Sequence, residues 1–167
     1  MVMTETIRQS DMDFITNNIF HIENSTIYKK ISSYKIRSVE FIRIMNNELL
    51  FIEAKTTFPN PENPSEENKI KFQNEIGEIC EKYIHSLNLF SSIELGVVEE
   101  EYKNDFSIPV KGTLVFLLVV KNHKIEWCVE IKRKLEQELP HYLKRIWKPK
   151  VFVINHTTAI QLGLTVN

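Results

Sequence analysis

The sequence predicts an α/β fold, an α/β/α sandwich around a central mixed sheet. Strand and helix patterns alternate along the chain, which is typical of this class. Two runs rich in β-branched and aromatic residues, 36–45 and 49–57, lie three residues apart, and a third run, 113–120, is apolar on both faces. The 167 residues, 43% of them hydrophobic, suffice for the core of a single domain spanning residues 1–167.

The N-terminal segment predicts few regular elements before the hairpin. We expect the first ten residues to be a loose end and residues 13–23, which contain five phenylalanines and isoleucines, to form a strand. Asn24 and Ser25 are candidate caps of a short helix that ends at residue 31.

The two runs 36–45 and 49–57 predict a β-hairpin, because only residues 46–48 separate them. Three prolines between residues 59 and 64 then exclude both helix and interior strand. Ser65 predicts a helix start, and the helix is expected to continue to about residue 90. Its apolar residues recur at steps of three and four, at positions 72, 76, 79, 83, 87 and 90.

The C-terminal half predicts three further elements after a loop over residues 94–112. The run 113–120 is expected to be a central strand, covered on both sides. An amphipathic helix over 125–139 and a strand over 150–155 follow. Thr157 or Thr158 is a candidate cap of a last helical turn.

Composition excludes several classes of protein. No apolar run reaches the roughly 18 residues that span a bilayer, so we expect no membrane partner. No basic segment followed by an apolar stretch marks a signal peptide, and the two cysteines make neither a disulfide framework nor a CxxC motif. These features predict a cytoplasmic protein, and they leave room for a homo-oligomer.

Charge is divided unevenly, although the net charge is only -1. Residues 111–150 hold ten basic and four acidic side chains, whereas residues 1–110 hold eleven basic and eighteen acidic ones. The basic part includes Lys132, Arg133, Lys144 and Arg145, with aromatic residues between them. Such a pattern is compatible with nucleic-acid binding, and equally with a solvated helix face.

The hairpin register determines where its charged residues lie. If Asn46 and Asn47 form a two-residue turn, cross-strand partners have numbers that sum to 93, which sets Glu40 opposite Glu53. Side chains alternate along a strand, so Lys55 falls on the same face as both glutamates. Facing carboxylates repel each other, and a divalent cation, the Lys55 ammonium or a raised pKa could each offset that cost.

Two less functional interpretations stay open. Both glutamates could face solvent, with Lys55 paired to one of them, although both faces of the hairpin are otherwise apolar. A register slip of one residue would turn one carboxylate to the opposite face.

An acidic residue on one strand, a tight hairpin, then Glu53-Ala54-Lys55 and a long helix resembles the PD-(D/E)XK nuclease superfamily. Residues 13–120 resemble its restriction-endonuclease-like core, and residues 121–167 would then be an αβα extension. The run from Ser38 to Leu95 is also similar to a group of bacterial proteins to which no activity is attached.

The resemblance implies catalytic roles for Glu40, Glu53 and Lys55, with Mg²⁺ or Mn²⁺ held by Glu40, Glu53 and Glu23. The chain has Val39-Glu40 where the family usually has Pro-Asp, which leaves the metal geometry open. His21-x-Glu23 is a further possible ligand pair if it borders the hairpin, and Gln73 is a candidate contribution from the long helix. The expected function is metal-dependent hydrolysis of nucleic-acid phosphodiesters, and the alternative is an inactive member of the fold that binds protein or nucleic acid.

Overall fold

The computed structural model describes residues 4–102, 106–108 and 111–166. In this part of the chain the strands are β1 (Thr6–Gln9), β2 (Met12–Ile15), β3 (Ile19–Phe20), β4 (Phe41–Met45), β5 (Glu48–Lys55), β6 (Thr113–Val120), β7 (Lys150–Asn155) and β8 (Thr165–Val166). The helices are α1 (Thr26–Ile31), α2 (Glu66–Glu94), α3 (Ile125–Glu138), α4 (His141–Ile146) and α5 (His156–Gln161). Two 3₁₀ turns, Ile22–Asn24 and Ser32–Tyr34, flank α1.

Five strands form the central sheet, in the order β3-β4-β5-β6-β7. β3 pairs antiparallel with β4, and β4 pairs antiparallel with β5, whereas β5, β6 and β7 run parallel to one another. The sheet is therefore mixed, as predicted, and β6 is an interior strand with its apolar run buried. Parallel strands need a long crossover, and α2 supplies it between β5 and β6.

The hairpin of β4 and β5 has the predicted register. Met45 lies opposite Glu48 and Ile42 opposite Phe51. Asn46 and Asn47 both adopt the left-handed conformation, with φ of 50° and 61°, which a two-residue turn of matching twist requires. The ladder ends with Phe41 opposite Ile52. The next residue, Glu40, donates its backbone N–H to the carbonyl of Ile52 at 3.1 Å, so regular pairing stops just before the two glutamates.

α2 begins where its cap predicts and ends four residues later than expected. The Ser65 side chain accepts a hydrogen bond from the backbone N–H of Asn68 at 3.2 Å, which satisfies one of the free donors at the helix start. The buried stripe continues to Ile93, and Gly96, with φ of 69°, follows the end of the helix.

The two faces of the central sheet are covered by different layers. One core lies between the sheet and the helices α1 to α4, and it includes Phe51, Tyr83 and Phe116. The second core lies between the sheet and the strands β1, β2 and β8 with α5, and it includes Phe14 and Ile52. The α/β class is thus confirmed, but the second covering layer is mainly a three-stranded sheet where the predicted sandwich has helices.

Predictions for the N-terminal segment were wrong in two respects. Residues 6–9 form β1, which pairs with β2, because the turn at Ser10 and Asp11 brings the two strands together. The strand expected over 13–23 is divided between two sheets. Asn18 has φ of 53°, which interrupts extended structure between β2 and β3.

The C-terminal segment is part of both sheets. β7 extends the central sheet, and β8 pairs with β2 in the small sheet. The last helix is capped by Asn155, whose side chain accepts from the Thr158 N–H at 3.0 Å, so neither threonine is the cap. Neither α4 nor β8 was predicted. In the described residues, no helix has the length and apolar character needed to cross a membrane.

Candidate functional site

Strand polarity brings the chemically interesting residues to one edge of the central sheet. β3 and β5 point the same way, because both run antiparallel to β4. His21 and Glu23 follow the end of β3, Glu40 precedes the start of β4, and Glu53 and Lys55 lie at the end of β5. This is the carboxyl edge of the parallel strands, where open α/β sheets bind their ligands.

Glu53 is the most deeply buried charged group at this edge. Its side chain is 1% exposed, and its Oε1 accepts a hydrogen bond from Lys82 Nζ at 2.6 Å. Oε2 has no hydrogen-bond partner among the described residues. Burial raises the pKa of Glu53 to about 7, against the lowering influence of the Lys82 and Lys55 charges.

Lys82 is the cation of the site that sequence reasoning missed. It projects from α2, and its side chain is 17% exposed. Burial lowers the pKa of Lys82, but the charge of Glu53, their hydrogen bond and the charges of Glu40 and Glu23 together raise it. One ammonium group therefore faces three carboxyl groups. The counter-charge expected from the sequence was Lys55. The direct partner of Glu53 is instead Lys82, which lies on α2, 27 positions beyond Lys55 in the chain.

Glu40 is held in an environment that favours its protonated form. The residue is 5% exposed, and its Oε2 lacks a hydrogen-bond partner among the described residues. Burial is the largest cause of a pKa raised to about 8, followed by the charge of Glu53 and a hydrogen bond with Glu23. Since that hydrogen bond joins two carboxyl groups, one of them must carry a proton.

His21, Glu23 and Glu40 form a group that could hold a metal ion. Each offers one ligand atom, and the three atoms lie within 4.8 Å of one another. Asn24 Nδ2 lies 2.8 Å from His21 Nδ1, which restrains the imidazole ring. Ligation through His21 Nε2 would require the proton on Nδ1 and the Asn24 amide turned so that its oxygen accepts it. Because the group includes Glu40, which directly precedes β4, His21 and Glu23 border the hairpin. This is the condition under which the pair could serve as metal ligands.

The predicted metal set is only partly brought together. Glu40 and Glu23 belong to the three-residue group, whereas Glu53 is outside it and is bound to Lys82. Two carboxylates and an imidazole suit a divalent transition metal such as Mn²⁺ better than Mg²⁺, which prefers oxygen ligands. The buried carboxylate oxygens of Glu40 and Glu53 that lack partners are compatible with an additional cation at this edge.

Lys55 lies at the site but is not the direct partner of either hairpin glutamate. Its Nζ is 3.1 Å from Oε2 of Glu75 on α2, and its side chain is 25% exposed. Its charge lowers the pKa of Glu53, so the two groups are close enough to interact. Glu75 and Lys82 are seven residues apart on α2, a spacing of two helical turns that could have indicated both residues in the sequence.

The other predicted contributors lie away from this edge. Gln73 is exposed, and its side chain donates to Glu138 of α3 at 3.1 Å, so its hydrogen-bond partner lies on α3. Its role at the site stays a prediction. Arg133 and Lys132 are paired along α3 with Glu130 and Glu136, at 2.6 Å and 3.9 Å.

On α4, Lys144 Nζ donates to the backbone carbonyl of Glu136 at 2.9 Å, and Arg145 Nε lies 3.3 Å from His141 Nε2. These basic residues are exposed or half-buried and have partners within α3 and α4. Their role as phosphate contacts stays a prediction.

Comparisons with protein-family models, curated protein sequences and solved structures found no match. The fold and the site define a mixed α/β protein with a half-buried group able to hold a metal ion, next to a buried ion pair, at the carboxyl edge of its parallel strands.

Proposed function

We propose that this protein is a metal-dependent, nuclease-like hydrolase of nucleic-acid phosphodiesters. The observation that carries the proposal is the convergence of His21, Glu23 and Glu40 within 4.8 Å, at the edge that also holds Glu53 and Lys55. Phosphodiester cleavage at neutral pH needs an activated water and positive charge near the phosphoryl oxygens. A divalent cation bound at this group would activate the water and supply part of the positive charge.

The side chains of the chain itself would have distinct roles. Glu40 and Glu23 would hold the cation once Glu40 has lost its proton, with His21 as the neutral ligand. Lys55, oriented by Glu75 and partly exposed, would hold the phosphate or position the attacking water. Lys82 would keep Glu53 ionised and in place behind the site.

Metal binding tests the first half of the proposal. The thermal midpoint of the purified protein should rise with Mn²⁺, and less with Mg²⁺, because a ligand that binds only the folded state stabilises it by mass action. The Mn²⁺ affinity should increase from pH 6.5 to 8.5, as the raised pKa of Glu40 requires. Glu23→Gln should abolish the shift, whereas Glu99→Gln, the same change on an exposed carboxylate, should preserve it.

Cleavage tests the second half. Single- and double-stranded DNA and RNA should be incubated with the protein and Mn²⁺ or Mg²⁺. Lys55→Ala should reduce cleavage by about 100-fold or more, within the range of a positioned catalytic group, and leave the Mn²⁺-dependent thermal shift in place. Equal cleavage by the wild type, Lys55→Ala and Glu23→Gln would reject the catalytic proposal.

A second candidate function is a non-catalytic module of the same fold that binds a protein or nucleic acid. The Lys82–Glu53 ion pair favours it, because an internal ammonium group already offsets the charge of the most buried carboxylate. This candidate predicts no thermal shift with either cation. The two proposals are therefore separated by the metal titration before any substrate is known.

A further inference from the structure

Two of the three candidate metal ligands, His21 and Glu23, lie between two short elements. β3 contains two residues and α1 contains six, and β3 pairs with β4 through two residue pairs. We name residues 21–24 the ligand turn. Helices and strands of this length are marginally stable by themselves, so the position of the ligand turn depends on contacts with the rest of the chain.

The ligand turn and the start of α1 form one hydrogen-bonded unit. Within the turn, the Asn24 N–H donates to the His21 carbonyl at 3.0 Å. The Ser25 N–H and the Ser25 hydroxyl both donate to the Ile22 carbonyl, at 3.1 Å and 2.6 Å. The same hydroxyl accepts from the Tyr28 N–H of α1 at 3.1 Å. A displacement of the start of α1 would therefore move the ligand turn with it.

Glu100 holds the start of α1 from a distant part of the chain. Its Oε1 accepts a hydrogen bond from the Thr26 N–H at 3.2 Å, and its Oε2 accepts one from the Ile27 N–H at 2.9 Å. These are the first two residues of α1, whose N–H groups have no partner within the helix. A carboxylate at this end also interacts favourably with the helix dipole. Both oxygens of one side chain thus fix the end of α1 that adjoins the ligand turn.

The segment that carries Glu100 also contacts the chain on the other side of the ligand turn. Tyr102 lies two residues further along, and its ring centroid is 5.0 Å from that of Phe20, in an edge-to-face arrangement. Phe20 is the last residue of β3 and directly precedes His21. Residues 100–102 therefore contact the chain both before and after the ligand turn.

We propose that Glu100 is a positioning residue of the candidate metal site. By fixing the start of α1, it sets His21 and Glu23 close enough to Glu40 for the three to share a cation. The three ligand atoms come from two separate segments, and a metal binds them tightly only when those segments are already held in place. The inference rests on the metal-binding half of the proposed function, and Glu100 itself is not one of the three ligands.

The two neighbours of Glu100 provide matched controls. Glu99 and Glu101 are exposed, whereas Glu100 is half-buried. Replacing any of the three by alanine removes one negative charge from the same segment, so a general electrostatic effect on a bound cation would be similar in all three variants. Only Glu100→Ala removes the two hydrogen bonds to α1.

Titration with Mn²⁺ alone, followed by electron paramagnetic resonance at 25 °C and pH 8, tests the proposal in the folded protein. The signal of free Mn²⁺ gives the dissociation constant, and the spectrum of the bound ion depends on its ligand geometry. Glu100→Ala should raise the dissociation constant about tenfold, the lower end of the range for residues that orient metal ligands, and should change the bound spectrum. Glu100→Gln keeps one acceptor oxygen and should give a smaller increase. Glu99→Ala and Glu101→Ala should bind Mn²⁺ as the wild type does.

The outcomes separate this inference from the proposed function. If Glu100→Ala and Glu100→Gln lower the thermal midpoint but leave Mn²⁺ binding unchanged, the positioning role is overturned and the metal site stands. Equal weakening by Glu99→Ala would also overturn it, because the effect would then be one of charge alone. A wild type that does not bind Mn²⁺ would reject the metal site itself, and the positioning role with it. If Glu100→Ala does not fold, the comparison of Glu100→Gln with Glu99→Gln decides in the same way.

Discussion

Replacing Glu40 with glutamine should stabilise the protein by an amount that grows with pH. The carboxyl is 5% exposed, and burial, the charge of Glu53 and a hydrogen bond with Glu23 raise its pKa from 4.5 to about 8. Between these two values the unfolded carboxyl is ionised while the folded one keeps its proton. The folded state therefore binds more protons, and the stability of the wild type falls as pH rises through this window.

The magnitude follows from the size of the shift. Each pH unit between 4.5 and 8 lowers the wild-type free energy of unfolding by about 1.4 kcal/mol through Glu40. Glutamine has nearly the same shape and no titration, so it avoids this loss. The Glu40→Gln variant should be more stable by up to about 2 kcal/mol at pH 6 and about 5 kcal/mol at pH 8, with no further gain above pH 8. The values are ceilings, because local opening lets water reach the carboxylate.

Urea unfolding of both proteins at pH 5, 6, 7, 8 and 9, without divalent metal, measures the difference directly. Glu99→Gln provides the matched control on an exposed glutamate, and its pH profile should follow that of the wild type. A Glu40→Gln variant that is less stable than the wild type by the same amount at every pH would refute the reasoning. That result would mean that Glu40 is ionised and favourably paired, and that burial does not control its proton.

The remaining predictions concern the ion pair, the turn and the core. Lys82→Met should change the free energy of unfolding little below pH 7, where Glu53 is protonated in both proteins. Above pH 7 it should lower that free energy by about 1.4 kcal/mol for each pH unit, measured by urea unfolding at pH 6 and 9. An equal loss of stability at both pH values would contradict the raised pKa of Glu53. Asn47→Ala should lower stability by about 1–2 kcal/mol, because alanine tolerates φ of 61° poorly and cannot make the 2.6 Å bond to the Lys111 carbonyl; Asn47→Gly should recover part of this loss in the same unfolding experiment. Phe51→Ala should cost about 3–5 kcal/mol and leave a cavity, since Phe51 is fully buried; a thermal midpoint close to that of the wild type would show that the core does not pack around it.

Local sequence signals determined the elements whose patterns are self-contained. The Asn46-Asn47 turn sets the hairpin register, because each side chain tolerates the left-handed conformation and the strands on either side alternate in step. Ser65 begins α2 for an equally local reason, since its hydroxyl satisfies an N–H three residues away. The apolar run of β6 places that strand in the middle of the sheet, because both of its faces have to be covered.

Prediction failed where the outcome depends on distant partners. The strand expected over 13–23 divides because β2 pairs with β8, more than a hundred residues away, and no pattern within 13–23 records that pairing. The layer that covers the second face of the central sheet was expected to be helical, because nothing local in the sequence indicates the pairing of β2 with β8. The small sheet exists only when the first and last strands of the chain meet.

The candidate site shows the same division. The sequence alone determined that Glu40, Glu53 and Lys55 lie near the same end of one hairpin, because strand periodicity and turn geometry are local properties. Only the tertiary structure decided which partner each of them has: Lys82 binds Glu53, and Glu75 binds Lys55. Only it decided that Glu40 joins His21 and Glu23. Those choices depend on how α2 and the end of β3 pack over the sheet edge, where burial and charge act through space between residues far apart in the chain.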